Sequence, residues 1–353
     1  MSLQAHVVKI LAVRVLVAAL VLLGLLQILD LIDVTTDILA RNLGVGGVIH
    51  YAILRLPRFV EQVAPLSLLA GGLFAFSQLA RENAIVTMRS AGLSAYRIVA
   101  MATPVVLAVM AVHFASAQLI APRTDPMLES WWSSTTPAAD RKADEVRSFR
   151  AGGELISALS ASADGRELSQ VTIYRRDAAG KLIERVEAAK ATFGATGWVL
   201  SPVTTVRFQG DNATTVEADR LMWPAALQPQ DVQALFGASP TPSAASARRA
   251  LLDGGSDRSD SYYRTRLMAA FGDPFGALIM LLIAAPVAVA NFRSGQGAVM
   301  LGGGLAAGLL YMVVDGMLGA LGEAGAISPL LAVWGAPVIF GALAIDMLIT
   351  LEG

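Results

Sequence analysis

The residues that could carry chemistry are few and widely separated. The chain has 353 residues, no cysteine and only three histidines, His6, His50 and His113. Disulfides, thiolate metal sites and cysteine nucleophiles are therefore excluded, and the scattered histidines predict no metal cluster and no metal cofactor. The one Gly-Lys pair, at 180–181, is followed by leucine, so the chain has no P-loop with which to bind ATP.

Charged side chains gather at the end of the first apolar run and near the start of the second. Three acidic residues and the arginine after them are three or four positions apart and so share one helix face. Interfacial solvation and a binding site for a charged headgroup are both open interpretations. Arginine suits bidentate anion binding. The acidic residues of this face are Asp30, Asp33 and Asp37, and the lipid-pathway candidates in these charged segments are Asp30, Asp33, Arg41, Arg55, Arg58 and Arg123.

Isolated features inside apolar runs allow two interpretations each. Gly304 and Gly308 form a small-xxx-small pair that serves helix packing or a sliding face. Asp315 is costly in lipid unless it faces water or a partner, so it lines a pathway or anchors a helix end. His113 has no carboxylate in its run, which favours a buried histidine over a proton relay.

A short polar segment separates the second and third apolar runs. Residues 81–92 are expected to form an amphipathic helix that Gly92 ends, with Ser94 capping the next helix. Ile85 and Met88, three positions apart, predict an exposed apolar stripe that a partner protein covers. A solvated turn is the alternative.

The composition is that of a membrane protein. Hydrophobic residues make up 55% of the chain, and the net charge of -1 gives no field that would attract nucleic acid. Charge is segregated: residues 123–266 hold 18 Lys/Arg and 18 Asp/Glu, whereas the other 209 positions hold only 19 charged residues. One water-soluble domain is therefore inserted in a hydrophobic frame.

The hydrophobic frame predicts six transmembrane spans of about 20 residues each. They are Val15–Leu29, Gln62–Ala80, Ile98–Pro122, Pro274–Phe292, Ser294–Val314 and Ala324–Ile345. A cleaved signal peptide over residues 1–30 is the competing interpretation. Outside the insert, six Lys/Arg flank the spans on the N-terminal side and three on the other, so both termini are expected in the cytoplasm and residues 123–266 outside.

Short β-favouring segments recur between turn signals in the insert and predict an antiparallel sandwich or open barrel. They are Glu154–Leu159, Gln170–Arg176, Leu182–Ala188, Trp198–Gln209 and Thr214–Met222. The expected domains are 1–122 with spans one to three, 123–236 with the β-domain, 237–266 as a linker, and 267–353 with spans four to six. The linker should contain a short helix from about Ser243 to Leu252 that Gly254 ends.

This order of parts resembles a known family, the lipopolysaccharide-export permeases LptF and LptG, and is more like LptG. The resemblance covers nearly the whole chain. Its motifs are Leu56-Pro57-Arg58 with Ala64-Pro65-Leu66, Val86 to Gly92, Trp198-Val199-Leu200-Ser201, Phe292-Arg293-Ser294, Tyr311 with Asp315, and Pro329 through Pro337.

The resemblance implies a six-span subunit with a periplasmic β-jellyroll in the bacterial inner membrane. Such a subunit pairs with an LptF-like permease and an LptB-like ATPase dimer, does no chemistry itself, and passes lipopolysaccharide to periplasmic LptC/LptA-like β-jellyroll proteins. By position, the turn between spans two and three is the coupling helix that docks on the ATPase, and spans one and five border the lipid path. The coupling-helix residues in this chain are Arg81, Glu82, Ala84, Ile85, Met88, Arg89 and Gly92.

The chain departs from the family pattern twice. Ala84 stands where the family usually has glutamate, so an ion pair to the ATPase is lost and the apolar stripe with Arg89 is expected to compensate. Asp30, Asp33 and Asp37 stand where relatives often have basic residues that meet phosphates. A membrane receptor or scaffold with a ligand-binding β-domain is the rival function, whereas no arrangement of catalytic residues supports an intramembrane enzyme.

Overall fold

The structure, a computed structural model, describes residues 3–136, 146–151, 153–162, 164–177, 180–194, 197–209, 212–225, 227–236, 242–253, 257–289 and 296–352. The motif Phe292-Arg293-Ser294 and the expected helix stop at Gly254 lie outside these residues. The chain divides into two compact units, residues 1–124 with 268–353, and residues 125–267.

The described elements alternate between long apolar helices and one block of strands. In chain order they are α1 (Leu3–Ala40), α2 (Gly44–Arg81), α3 (Ala84–Ser90), α4 (Ala95–Ala100), α5 (Thr103–Ala115), a π-helical turn (Ser116–Ile120), α6 (Ala121–Thr135), β1 (Arg147–Ala151), β2 (Glu154–Ala158), β3 (Ser160–Ala161), β4 (Glu167–Arg176), β5 (Leu182–Gly194), β6 (Gly197–Gln209), β7 (Asn212–Ala218), β8 (Leu221–Trp223), α7 (Pro229–Phe236), α8 (Ala244–Asp253), α9 (Asp260–Gly272), α10 (Phe275–Ala284), a 3₁₀ turn (Ala285–Val289), α11 (Gln296–Glu323) and α12 (Pro329–Glu352).

The helical frame holds five described helices that are long and apolar enough to cross a membrane, or six if the bent pair at Gly272 and Phe275 is one span. This agrees with the predicted frame of spans, but the first span is much longer than the run Val15–Leu29. At 1.5 Å per residue, the 38 residues of α1 reach about 57 Å. Asp30 therefore lies inside a helix and not at its end. The third expected span, from Ile98, is broken between α4 and α5.

Helix α2 is the central element of the membrane unit. It is buried over most of its length and contacts α1, α5, α10 and α11. Small residues permit these contacts: a Cβ on Gly71 would lie 2.5 Å from the Cα of Val15 on α1, and one on Gly72 would lie 3.1 Å from the Cβ of Ala284 on α10. Close backbone approach of this kind supports helix association in lipid, where burial of apolar surface provides little driving force.

The soluble unit is built on one eight-stranded antiparallel sheet with the order β1-β2-β4-β5-β6-β7. Strand β3 pairs with β4, and β8 pairs with β6. The expected single strand Thr214–Met222 is wrong, since it is interrupted between β7 and β8, which pair with different parts of β6. The sequence also missed β1 and α7. The helix expected from about Ser243 corresponds to α8.

One apolar face of the sheet carries the core of this unit. Trp198 and Trp223 are buried there, and Val232 of α7 is fully enclosed in the same cluster. The Nε1 of Trp198 donates a 2.7 Å hydrogen bond to the carbonyl of Leu227, which fixes the chain that leads into α7. Helix α7 therefore packs on part of the apolar face of the sheet.

A row of alternating charges crosses four strands of the sheet. Arg175 on β4 bonds to Glu154 on β2 and to Glu184 on β5, each at 2.6 Å, and Glu184 accepts from Arg207 on β6 at 2.8 Å. Burial alone would raise the pKa of Glu184, but the hydrogen bonds and charges of Arg207 and Arg175 hold that pKa below its ordinary value. The row ties the strands together at one place on the sheet.

The approach of Gly71 to Val15 predicts a sharp mutational effect. Gly71→Ala should force α1 away from α2 and lower the free energy of unfolding by about 1–3 kcal/mol, because the neighbouring atoms are backbone and cannot turn aside. Unfolding in mixed detergent micelles with increasing dodecyl sulfate measures the change. Gly46→Ala, on the same helix with open space around its new methyl group, is the control. Equal midpoints for the two variants would contradict the packing described.

Candidate coupling and lipid-facing sites

The segment between α2 and α4 is a tight, capped turn. Asn83 has a left-handed backbone with a φ of 56°, which separates α2 from α3, and Gly92 with a φ of 85° follows the end of α3. The hydroxyl oxygen of Ser94 accepts from the backbone N–H of Arg97 and starts α4. Gly92 and Ser94 act as the sequence predicts. The helix itself is shorter than expected, covering only 84–90, because Arg81 still belongs to α2.

The predicted exposed stripe on this helix is wrong. Ile85 and Met88 are 3% and 4% exposed and belong to the same buried apolar cluster as Leu79 and Ile98. The spacing of the two residues correctly marks one apolar face, but that face packs into the chain's own helical bundle. No partner protein is needed to cover it.

The outward face of the turn carries one exposed apolar residue among polar ones. Val86 is 63% exposed, whereas Ala84, where relatives usually have glutamate, is half-buried against the bundle. A single exposed apolar side chain is common on protein surfaces, so Val86 identifies the outward face of α3 and does not by itself make that face a contact site. The exposed residues of this face are Arg81, Glu82, Asn83, Val86, Thr87, Arg89 and Ser90.

A chain of side-chain hydrogen bonds joins α1 to this turn. The guanidinium of Arg14 donates twice to the amide oxygen of Gln78, at 3.1 and 2.8 Å, and the amide nitrogen of Gln78 donates to Glu82 at 2.9 Å. Glu82 is therefore engaged by its own chain. The sequence reasoning missed Gln78, whose partners are 64 positions upstream and four downstream and leave no local pattern.

The second cluster lies between α1 and α2, where the lipid-pathway candidates were expected. Asp30 Oδ1 lies 3.7 Å from Arg55 Nε, and the hydroxyl of Tyr51 bonds to the Asp30 carboxylate. Arg58 is buried in an ion pair with Glu61 at 3.0 Å, and Arg55 also lies over the ring of Phe59. Both candidate arginines are thus already matched by carboxylates.

The other candidates of this group are placed differently. Asp33 and Asp37 are exposed on α1, Arg41 follows the end of α1 and is half-buried, and Arg123 is exposed on α6. The structure therefore brings together Asp30 and Arg55 and pairs Arg58 with a residue that the sequence reasoning did not consider. That reasoning also missed Gln27 and Tyr51. Gln27 could have been noticed from the sequence, because it is a lone amide side chain inside the most apolar run of the chain.

The glycine pair of α11 is a packing site. Gly304 and Gly308 face Leu73 and Leu69 of α2, and a Cβ on Gly304 would lie 2.8 Å from Leu73 Cδ2. The structure shows close helix packing at this pair, and a sliding face at the same pair stays a prediction, because small-xxx-small spacing is the same in a static and in a moving interface.

The isolated polar residues also have defined positions. Asp315 is half-buried two turns before the end of α11, one turn after the buried Tyr311, and its roles in a pathway or as an anchor stay predictions. His113 is buried and its Nδ1 has no hydrogen-bond partner, consistent with the buried interpretation. Among the residues that the structure describes, no three His, Asp or Glu side chains form a group that could hold a metal ion.

Comparison with known proteins agrees with this architecture over nearly the whole length. A family model described as "Lipopolysaccharide export system permease LptF/LptG" matches residues 5–350. The chain is 22% identical to the lipopolysaccharide export system permease protein LptG of Haemophilus influenzae, over 97% of this chain and 94% of that protein.

Proposed function

Because the chain belongs to the LptF/LptG family of lipopolysaccharide export permeases, we propose that it is the LptG-like permease subunit of an ABC-type exporter. It is a multi-pass inner-membrane protein and a transport subunit. In the proposed assembly it pairs with an LptF-like subunit, and an LptB-like ATPase dimer hydrolyses ATP because this chain has no P-loop. Periplasmic LptC/LptA-like proteins receive the lipopolysaccharide. The LptG name of the relative from Haemophilus influenzae supports the LptG-like over the LptF-like assignment.

The geometry of α3 is the observation that carries the coupling role. Its inner face, Ile85 and Met88, is packed into the bundle, while Val86 projects outward at 63% exposure. Force applied by a partner to the outer face therefore reaches α2 through packed side chains, since a close-packed interior transmits displacement. In this mechanism ATP binding closes the ATPase dimer, pushes α3, and narrows a lipid cavity between the two permease subunits.

The lipid path is proposed along α1 and α11, spans one and five of the family. Helix α1 buries only Val7, Leu11, Val15 and Ile38 and presents a long apolar surface suited to acyl chains. The residues proposed to border the lipid path are Asp30, Asp33, Arg41, Arg55, Arg58, Arg123, Gly304, Gly308 and Asp315. The extracted acyl chains then pass to the β-domain. Because α7 packs on part of the apolar face of the sheet, movement of α7 would enlarge the surface that acyl chains can reach.

The proposed orientation places both termini in the cytoplasm and residues 123–266 in the periplasm. Since the chain has no native cysteine, single substitutions report location without background. We expect Lys181→Cys, at an exposed turn of the β-domain, to react with an impermeant maleimide on intact spheroplasts. Ser90→Cys, exposed on α3, should react only after lysis. The reverse labelling pattern would overturn the orientation.

The coupling role predicts that Val86→Asp separates the ATPase from the membrane subunits. A carboxylate in place of this valine would be desolvated without a partner, which costs about 1–3 kcal/mol and lowers affinity about fivefold or more. Co-purification and titration of the cognate ATPase on the detergent-solubilised complex measure the loss.

Met88→Asp is the matched comparison, two positions away on the same short helix but on its buried face. It should lower the thermal stability of the membrane subunit itself, whereas Val86→Asp should leave that stability unchanged. Stoichiometric ATPase on the Val86→Asp complex would refute the docking surface. A loss of stability in both variants would refute the assignment of inner and outer faces.

A further inference from the structure

The polar cluster between α1 and α2 contains side-chain atoms whose bonding capacity is unused. Gln27 lies one turn before Asp30 on α1, and Arg55 lies beside Asp30 on α2. Both amide atoms of Gln27, the Oδ2 of Asp30 and the Nε of Arg55 are enclosed and have no hydrogen-bond partner. Enclosed polar groups are satisfied in nearly all native proteins, so four such atoms in one place require a physical reason.

The charges of this cluster disfavour an anion. Arg55 already faces Asp30, and Arg58 is bonded to Glu61. Asp33 and Asp37 add two exposed carboxylates along the same helix. A phosphate that approached this face of α1 would meet cations that are already matched and carboxylates that repel it.

The unused atoms comprise two donors and two acceptors, which is the combination that hydroxyl groups can match. Gln27 Nε2 and Arg55 Nε donate, whereas Gln27 Oε1 and Asp30 Oδ2 accept. A hydroxyl both donates and accepts, so sugar hydroxyls can satisfy all four atoms once the partly exposed side chains of Gln27 and Arg55 turn toward the ligand. A phosphate dianion only accepts and would leave the two oxygens unsatisfied.

The surroundings of the cluster suit a lipid. Leu25, Ile28 and Leu29 of α1 are exposed apolar residues beside Gln27, and a Cβ on Gly24, one turn earlier, would have open space. An acyl chain can therefore lie on α1 while its headgroup reaches the polar atoms.

We propose that Gln27, Asp30 and Arg55 form a pocket for sugar hydroxyls, through which the carried glycolipid binds α1 by its sugar and not by a phosphate. This inference rests on the proposed export function and names the part of the substrate that α1 recognises. The other permease subunit remains free to contact any phosphate.

The test uses the full complex with its permease partner and ATPase in nanodiscs. A photo-crosslinking residue, p-benzoylphenylalanine, replaces Gly24, and capture is measured for bisphosphorylated lipid A and for the same lipid with its phosphates removed. We expect both lipids to be captured to a similar extent. Capture that falls about tenfold or more on removal of the phosphates would overturn the proposal.

Gln27→Leu tests the pocket directly, and Gln62→Leu, an exposed glutamine on α2, is the matched control. Gln27→Leu should lower capture of both lipids about fivefold or more, since two hydrogen bonds are lost. It should leave the thermal stability of the lipid-free complex equal or higher, because enclosed unsatisfied atoms are removed. Unchanged capture, or a lower stability that indicates a structural role, would overturn the pocket.

A second crosslinking position separates this proposal from the function on which it rests. With p-benzoylphenylalanine in place of Leu20, on the exposed apolar surface of α1, an exporter should capture lipid A through its acyl chains. Capture at this position without capture at Gly24 overturns the pocket and leaves the exporter intact. Capture at neither position, together with no ATP-driven release of lipid, overturns the exporter function itself.

Discussion

The close packing of α2 is the constraint on which the membrane unit depends. Its small residues and the small residues of its neighbours allow three helices to reach it: Gly71 meets Val15 of α1, Gly72 meets α10, and Gly304 and Gly308 of α11 meet Leu73 and Leu69. Farther along α2, the π-helical turn binds it through the hydroxyl of Ser116, which donates to the carbonyl of Pro57 at 2.6 Å. In lipid, where burial of apolar surface is a weak force, such contacts decide which helices move together.

This arrangement connects the two candidate sites. At one end of α2, α3 packs under it through Ile85 and Met88, and Gln78 links Arg14 of α1 with Glu82 of the turn. Farther along the same helix pair, Arg55 of α2 meets Asp30 of α1. In the proposed mechanism, a push on α3 would reach the same two helices that hold the polar cluster. Coupling between distant sites needs no contact beyond this packed pair, provided that the pair moves as one body.

The sequence predicted the transmembrane spans and the inserted domain well, because each segment must match the lipid or the water that surrounds it. Charge segregation separates lipid from water, and turn residues separate strands, so the spans and most strands followed from composition and periodicity. Whether an apolar helix face points into the bundle or toward a partner was harder to predict. Ile85 and Met88 have the spacing of an apolar face, but a face that packs inward and one that awaits a partner have the same spacing. Gln27 and Gln78 act through residues that are distant in sequence, which no local pattern reveals, and α7 is too short for its period to stand out.

The proposed coupling requires α3 and α2 to form one rigid body that the ATPase moves. Spin labels on Ser90→Cys of α3 and Phe74→Cys of α2, both at exposed positions in a chain without native cysteine, give the distance between the two helices by double electron–electron resonance. In the complete, ATP-hydrolysing complex, we predict a single narrow distance that is the same before and after the nucleotide is trapped with vanadate. A second distance population on trapping would show that α3 moves independently of α2, and it would contradict the account.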